Sequence, residues 1–146
     1  MACDNNARFA ANPMSIPDRE RVYADDWWRV AHSFDSALPG WLVVLPRRHV
    51  TAMHELTAEE TAPLGTLLHT LSTALHDTTG CTKAYLMFFA EAEGFGHLHI
   101  HVVPRMPDFT DDVTGPRVFA YLKQPKADWV PDDEQDHIAR EIRARL

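Results

Sequence analysis

One stretch constrains this chain more than any other: His97-Leu98-His99-Ile100-His101-Val102-Val103-Pro104, in which histidines alternate with apolar residues. Successive side chains of a strand point to opposite faces. The run therefore reads as a strand from His97 to Val103, with three imidazoles in a row on one face and Leu98, Ile100 and Val102 mostly on the other. A single histidine on a strand is most often a satisfied core or surface group. Three in strict alternation, backed by an apolar face, point to a site.

The rest of the chain supplies partners for that strand. Arg21 to Ala24 and Trp27 to His32 read as two short strands separated by Asp25-Asp26, a hairpin signal. Trp41-Leu42-Val43-Val44-Leu45 follows Leu38-Pro39-Gly40 and stops at Pro46, a continuous apolar run of the kind that forms a buried central strand. Thr57-Ala58-Glu59-Glu60 is a capping-box pattern, and Leu64, Leu67, Leu68, Leu71 and Leu75 recur at helical spacing until Gly80. That spacing predicts a single helix over roughly residues 57–78.

Lys83 to Ala90 and His97 to Val103 form a second expected hairpin across Glu91-Ala92-Glu93-Gly94. Arg105 to Pro131 is rich in Pro and Asp; within it Val118-Phe119-Ala120-Tyr121-Leu122 is apolar enough to pack, but the pattern does not say against what. Asp132 to Leu146 closes the chain as an expected helix, with Asp132 and Gln135 in capping positions and basic residues in its last turn. The order β-β-β-α-β-β-α implies an α+β architecture, a five-stranded antiparallel sheet with helices packed mainly on one side. Residues 1–19 are expected to be a leader and residues 20–146 a single domain, the size that 146 residues allow.

Composition narrows the function classes. Hydrophobic residues make up 45% and charged residues 24%, as in an ordinary globular protein. The net charge is −7 with no run of clustered Lys and Arg, which argues against nucleic acid as a partner but leaves a small anion open. Cys3 and Cys81 have no CxxC partner and offer no disulfide framework, which fits a reduced, cytoplasmic setting. No apolar run approaches the ~20 residues needed to cross a bilayer, so no membrane partner is expected.

Two chemistries suit the histidine row. Histidines two apart on a strand can share a metal ion, but Cα atoms at His97 and His101 would lie about 13 Å apart at ~3.3 Å per residue, too far to close on one ion. A pair with a remote ligand such as His49 or His54 keeps that alternative open. In the other chemistry an imidazole attacks phosphorus and forms a phosphoramide that an acceptor later opens. Histidine suits this work because its neutral form is abundant near neutrality and both nitrogens have roles. One nitrogen of His99 would attack while the other donates to a carbonyl, and His97 and His101 could orient it and donate to phosphate oxygens.

The pattern His-x-His-x-His followed by two apolar residues resembles the signature of the histidine triad (HIT) family of nucleotide hydrolases and transferases. The likeness extends to Pro39-Gly40-Trp41-Leu42-Val43-Val44-Leu45-Pro46-Arg47-Arg48-His49 and to the order of elements, over roughly residues 20–105. Val102-Val103-Pro104-Arg105 is similar to the ending seen in the dinucleoside polyphosphate hydrolase branch. The resemblance implies a five-stranded antiparallel sheet, commonly paired into a homodimer, and a purine nucleotide lying across the triad; separately, no metal or cofactor is expected. It implies His99 as nucleophile, His101 on the phosphoryl group, and His97 holding His99 in register. Base and ribose would lie against the early strands, with Val30, His32, Phe34 and Val44 as candidates. Glu93, Gly94 and Gly96 would lie near the phosphate, the glycines offering backbone N–H groups.

This chain departs from the family at two places. Trp41 stands where a fourth histidine is often found, and Glu91-Ala92-Glu93-Gly94-Phe95-Gly96 stands where many members carry a Gln, Ser or Thr. A carboxylate there would repel phosphate unless protonated or turned away, though it could act as a general acid or bind an amine leaving group. The expected activity is hydrolysis or transfer through a nucleotidyl-His99, on a dinucleoside polyphosphate or a nucleoside phosphoramidate. The alternative is a nucleotide-binding regulatory protein of the same fold with little turnover.

Overall fold

The computed structural model describes residues 2–146. Its centre is one antiparallel sheet of five strands: β1 (Tyr23–Ala24), β2 (Trp28–His32), β3 (Leu42–Pro46), β4 (Lys83–Met87) and β5 (Ile100–Arg105), in the order β1-β2-β3-β5-β4. The apolar run expected to be central is central, since β3 pairs with β2 on one side and β5 on the other. The first hairpin turns at Asp25, whose Oδ1 accepts from the backbone N–H groups of Trp27 and Trp28 at 2.7 and 2.6 Å. Such side-chain to backbone bonds are what Asp offers a turn. In the second hairpin Met87 pairs with His101 and Lys83 with Arg105.

Among the described residues four α-helices accompany the sheet: α1 (Ala2–Ala11), α2 (Ala58–Thr61), α3 (Leu64–Thr79) and α4 (Asp132–Arg143). On one face, Val30, Val44, Ile100 and Val102 meet Leu67, Leu71 and Leu75 of α3 and Ile138 and Ile142 of α4. Full burial of each such side chain is worth roughly 1.5–3 kcal/mol. The opposite face carries Trp41, Val103 and Val118 in a smaller cluster with Phe119 and Leu122 packed on it. That places the apolar run left without a partner in the sequence: it lies in a 3-10 segment, Gly115–Leu122, laid over the second face of the sheet.

Several expected boundaries are corrected. The single helix over residues 57–78 is two, because Pro63 has no N–H to continue the ladder, and α3 starts afresh at Leu64. The capping box does form: Thr57 Oγ1 accepts from Glu60 N at 3.3 Å, and Glu60 Oε2 accepts from Thr57 N at 2.7 Å. Helix α4 has Pro131 at its N-cap and no side-chain cap, so Asp132 and Gln135 do not cap it. Asp132 instead pairs with Arg19, while buried Gln135 donates from Nε2 to the Val130 carbonyl at 2.8 Å. Strand β4 ends at Met87 and β5 starts only at Ile100, so the connection runs over residues 88–99 rather than four residues.

The first residues pack onto the sheet end through α1. Asn6 Nδ2 donates to the Pro46 carbonyl at 3.0 Å, and buried Arg29 donates from Nε to Asn6 Oδ1 at 2.9 Å. No helix among the described residues is long and apolar enough to cross a membrane.

Candidate active site

The second face of the sheet opens into a cavity of about 460 Å³, lined by His97, His99 and His101 together with Ala31, Val43 and Phe119. Ligand cavities typically span ~300–1,000 Å³ with mostly apolar walls and a few polar groups. The alternation of the strands decides which side chains reach it. Val43 and Leu45 of β3 line the cavity, whereas Val44, between them, is fully buried on the α3 face. Val30 likewise points into the core and its neighbour Ala31 lines the cavity. The candidates Val30 and Val44 are therefore one residue out of phase with the face that matters.

His97 and His99 precede β5 and only His101 lies within it, so the expected strand from His97 is shorter than its sequence pattern. The three side chains nevertheless converge. Buried His97 has Nε2 2.9 Å from the Pro46 carbonyl and Nδ1 3.1 Å from Nδ1 of His49. A carbonyl only accepts, so His97 carries its proton on Nε2, and in the neutral ring Nδ1 accepts from His49. Burial pushes the His97 pKa down, partly offset by the Pro46 bond.

His99 is half-buried, and its Nδ1 donates to the His97 carbonyl at 2.8 Å. Its proton is thereby fixed on Nδ1, and Nε2 has no hydrogen-bond partner among the described residues. The ring stands edge-on to His101, with centroids 4.8 Å apart. His101 is buried, and burial followed by the nearby His99 pushes its pKa down to about 4. Its Nδ1 lies 3.0 Å from the indole Nε1 of Trp41, and Phe119 packs edge-on against both rings.

The other candidates divide. Phe34 lines the cavity and is half exposed. His32 also borders it, but both ring nitrogens are engaged: Nδ1 donates to the Ser33 carbonyl at 2.8 Å and Nε2 accepts from Gly40 N–H at 2.9 Å. Only the flat of that ring is left for a ligand. Glu93, Gly94 and Gly96 are exposed and lie outside the cavity wall, to which the same loop contributes Ala92 and Phe95.

Sequence reasoning passed over Phe119, the Trp41 contact and the pairing of His49 with His97. The first had a signal in the apolar run within a Pro- and Asp-rich stretch. The other two join residues 60 and 48 positions apart, and nothing local announces them. Among the described residues no group of three or more His, Cys, Asp or Glu side chains is arranged to hold a metal ion.

Residues 16–108 match the HIT domain. The chain belongs to that family. It is 30% identical over 100 residues to the bifunctional bis(5'-adenosyl)-triphosphatase/adenylylsulfatase of Arabidopsis thaliana, a match covering 66% of this chain and 56% of that relative. The chain thus spans little more than half the length of the curated relative it matches. Among solved structures it is similar to a histidine triad (HIT) protein from Sinorhizobium meliloti, with a TM-score of 0.71 at 23% identity, covering 96% of this chain and 94% of that one. It is also similar to the diadenosine triphosphate hydrolase of Plasmodium falciparum, with a TM-score of 0.64 at 15% identity over 88% of this chain and 77% of that one. The HIT-like α+β fold expected from the order of elements is the fold observed.

Proposed function

We propose that the protein is a nucleotide hydrolase or transferase that works through a covalent nucleotidyl-His99, on a dinucleoside polyphosphate or a nucleoside phosphoramidate. The observation that carries this reading is the 2.8 Å bond from His99 Nδ1 to the His97 carbonyl, which leaves the other nitrogen unprotonated beside a nucleotide-sized cavity. A neutral imidazole with its lone pair free is the form that attacks phosphorus. Family membership and the Arabidopsis thaliana triphosphatase support the same class of substrate.

In the first step His99 Nε2 bonds to the α-phosphorus and the bond to the leaving group breaks, its electron pair departing with the leaving oxygen as a phosphate anion or with the leaving nitrogen as an amine that has taken a proton from solvent. In the second step water attacks the same phosphorus and gives up a proton to solvent, the P–N bond breaks, and its electron pair returns to His99 Nε2 as a nucleoside monophosphate is released. His97, anchored to Pro46, holds the carbonyl that orients His99. His101 donates to a phosphoryl oxygen where negative charge builds up. Base and ribose rest on Ala31, Val43 and Leu45, with Phe34 and Phe119 closing over them.

The region to residue 19 belongs with this site on our reading, because Asn5 and Arg19 contribute to the cavity lining. We also propose a homodimer. Strand β4 is a sheet edge, and beside it Leu86, Phe88 and Phe89 are 46%, 48% and 63% exposed, an apolar patch of the kind that a second copy covers. Cys81 is a free thiol, as a cytoplasmic protein allows.

The test is intact-protein mass spectrometry with turnover of diadenosine polyphosphates and adenosine phosphoramidate, on wild type, His99→Ala and His99→Gly. An adenylyl adduct on wild type alone, with turnover lost in both variants, is expected. Wild type that binds nucleotide with neither adduct nor turnover would overturn the catalytic reading in favour of a binding protein.

A further inference from the structure

We infer that Trp41 is a positioning residue that sets the tautomer of His101: its indole N–H, 3.0 Å from His101 Nδ1, fixes the ring's single proton on Nε2 and makes His101 a permanent hydrogen-bond donor. The inference rests on the reading of His99 as nucleophile only for its catalytic consequence. Its physical basis is separate. Indole has one N–H and no acceptor, so in this contact Trp41 must donate and Nδ1 must accept. A ring accepting at Nδ1 is neutral with its proton on Nε2, and protonating Nδ1 would set two donors against each other.

The surroundings enforce the arrangement. Trp41 is fully buried and His101 is 8% exposed, so neither nitrogen can exchange its partner for water. Phe119 packs edge-on against both rings, at 5.5 Å from Trp41 and 5.1 Å from His101, and Leu38, Val103 and Val118 complete the cluster. Titratable groups beside the pair include His99 before β5, whose ring stands edge-on to His101, and Tyr85 on β4 and Tyr121 in the 3-10 segment, which pack on the same cluster. Burial and His99 hold the His101 pKa at about 4, in the same sense as the geometry.

The consequence is a division of protons across two neighbouring rings. His99 keeps its proton on Nδ1 and offers a lone pair at Nε2, while His101 keeps its proton on Nε2 and offers an N–H. One ring attacks phosphorus and the other stabilises charge on its oxygens, with no proton to be redistributed between them. A histidine at position 41 could move its N–H to the other ring nitrogen or take up a second proton as pH changes; indole cannot.

Long-range ¹H–¹⁵N spectra of the wild type should show His101 protonated at Nε2 alone across the neutral range. In Trp41→Phe the donor is lost. The His101 signal should then show Nδ1–H, and kcat should fall roughly ten- to hundredfold with KM little changed. The acid limb of the kcat profile should move upward in pH, because the bond to Trp41 favours the neutral ring. Trp41→His, which keeps a ring N–H, should recover part of the rate. Val118→Ala loosens the same cluster without touching the bond, and should lose stability while leaving spectrum and rate unchanged.

A wild-type His101 protonated at Nδ1 overturns the inference, and so does a Trp41→Phe protein whose His101 spectrum and kcat match those of Val118→Ala. Should Trp41→Phe fail to fold, the wild-type spectrum still decides. If wild type forms no adduct yet its His101 is Nε2–H and Trp41→Phe frees it, the tautomer assignment stands and covalent catalysis is what fails.

Discussion

His32 and His99 begin with the same local bond and end with opposite uses. In each, Nδ1 donates to a nearby backbone carbonyl at 2.8 Å, from Ser33 in one case and His97 in the other. The difference is what meets the second nitrogen. At the turn from β2 to β3 the Gly40 N–H comes within 2.9 Å of His32 Nε2, and the ring becomes a strut between two strands. At the entry to β5 His99 Nε2 has no hydrogen-bond partner among the described residues, and the same half-satisfied imidazole faces a cavity. A histidine's role is thus set by its second partner, which a sequence does not display.

The sharpest way to break this comparison is to remove each ring. His99→Ala should cost turnover roughly 10⁴-fold or more while leaving the denaturation midpoint near wild type. Added imidazole should restore part of the rate in His99→Gly. His32→Ala should instead unfold more easily by about 1–3 kcal/mol, because it leaves the Gly40 N–H and the Ser33 carbonyl without a partner. If His32→Ala lost turnover without losing stability, the strut reading would be wrong.

Acid separates the two rings again. Burial pushes the His32 pKa from 6.5 down to about 4, so the folded state favours neutral His32 more strongly than the unfolded chain does. The stability that follows is fully present above 6.5 and is lost as pH falls through about 4. For His32 alone the loss is on the order of 3 kcal/mol. His101 and His97 add to it in the same direction. Carboxylates with lowered pKa, among them Glu60 beside Arg48 and Asp18 beside Arg143 and Arg140, act only from about 4.5 downward. Urea midpoints should therefore fall between pH 6.5 and about 4 in wild type and fall less in His32→Ala. Equal slopes would remove His32 from the account.

What the sequence made legible follows from period and punctuation. The histidine alternation, the central run Trp41–Leu45 and the capping box at Thr57 and Glu60 each have a local signal, and the strand β3 and the cap follow it in the structure. Phase was harder: Val43 and Val44 are the same residue type, and the register against β5, which pairs Val43 with His101 and Val44 with Ile100, decides which one meets α3. Contacts across long separations were invisible for the same reason as Gly40 on His32, since they depend on how one turn is laid against another. The Pro63 break was present in the sequence and was outweighed by leucines on either side that keep helical spacing.

Gly40 carries the next effect in size. It has φ of +83°, and a Cβ there would meet Thr79 Cγ2 at 3.0 Å and Leu75 Cδ1 at 3.1 Å. Gly40→Ala should cost about 1–2 kcal/mol from the left-handed backbone alone. It should also disturb the N–H that braces His32, so its losses and those of His32→Ala should not add. Additivity in the double variant would show the two to be independent.

Two positions beyond His32 the same connection changes character. Phe34 is 49% exposed on the cavity rim, where His32 is 3% exposed and braced. An aromatic ring offered to a bound base contributes about 0.5–1.5 kcal/mol beyond its area. Phe34→Ala should therefore raise KM a few-fold, leave kcat and the acid profile of stability unchanged, and leave the denaturation midpoint within error of wild type. The outcome matters because one short segment would then hold both a strut and a binding contact, separable by which constant moves. A fall in stability without a change in KM would assign Phe34 to packing and confine nucleotide contact to Ala31, Val43 and the 3-10 segment that carries Phe119.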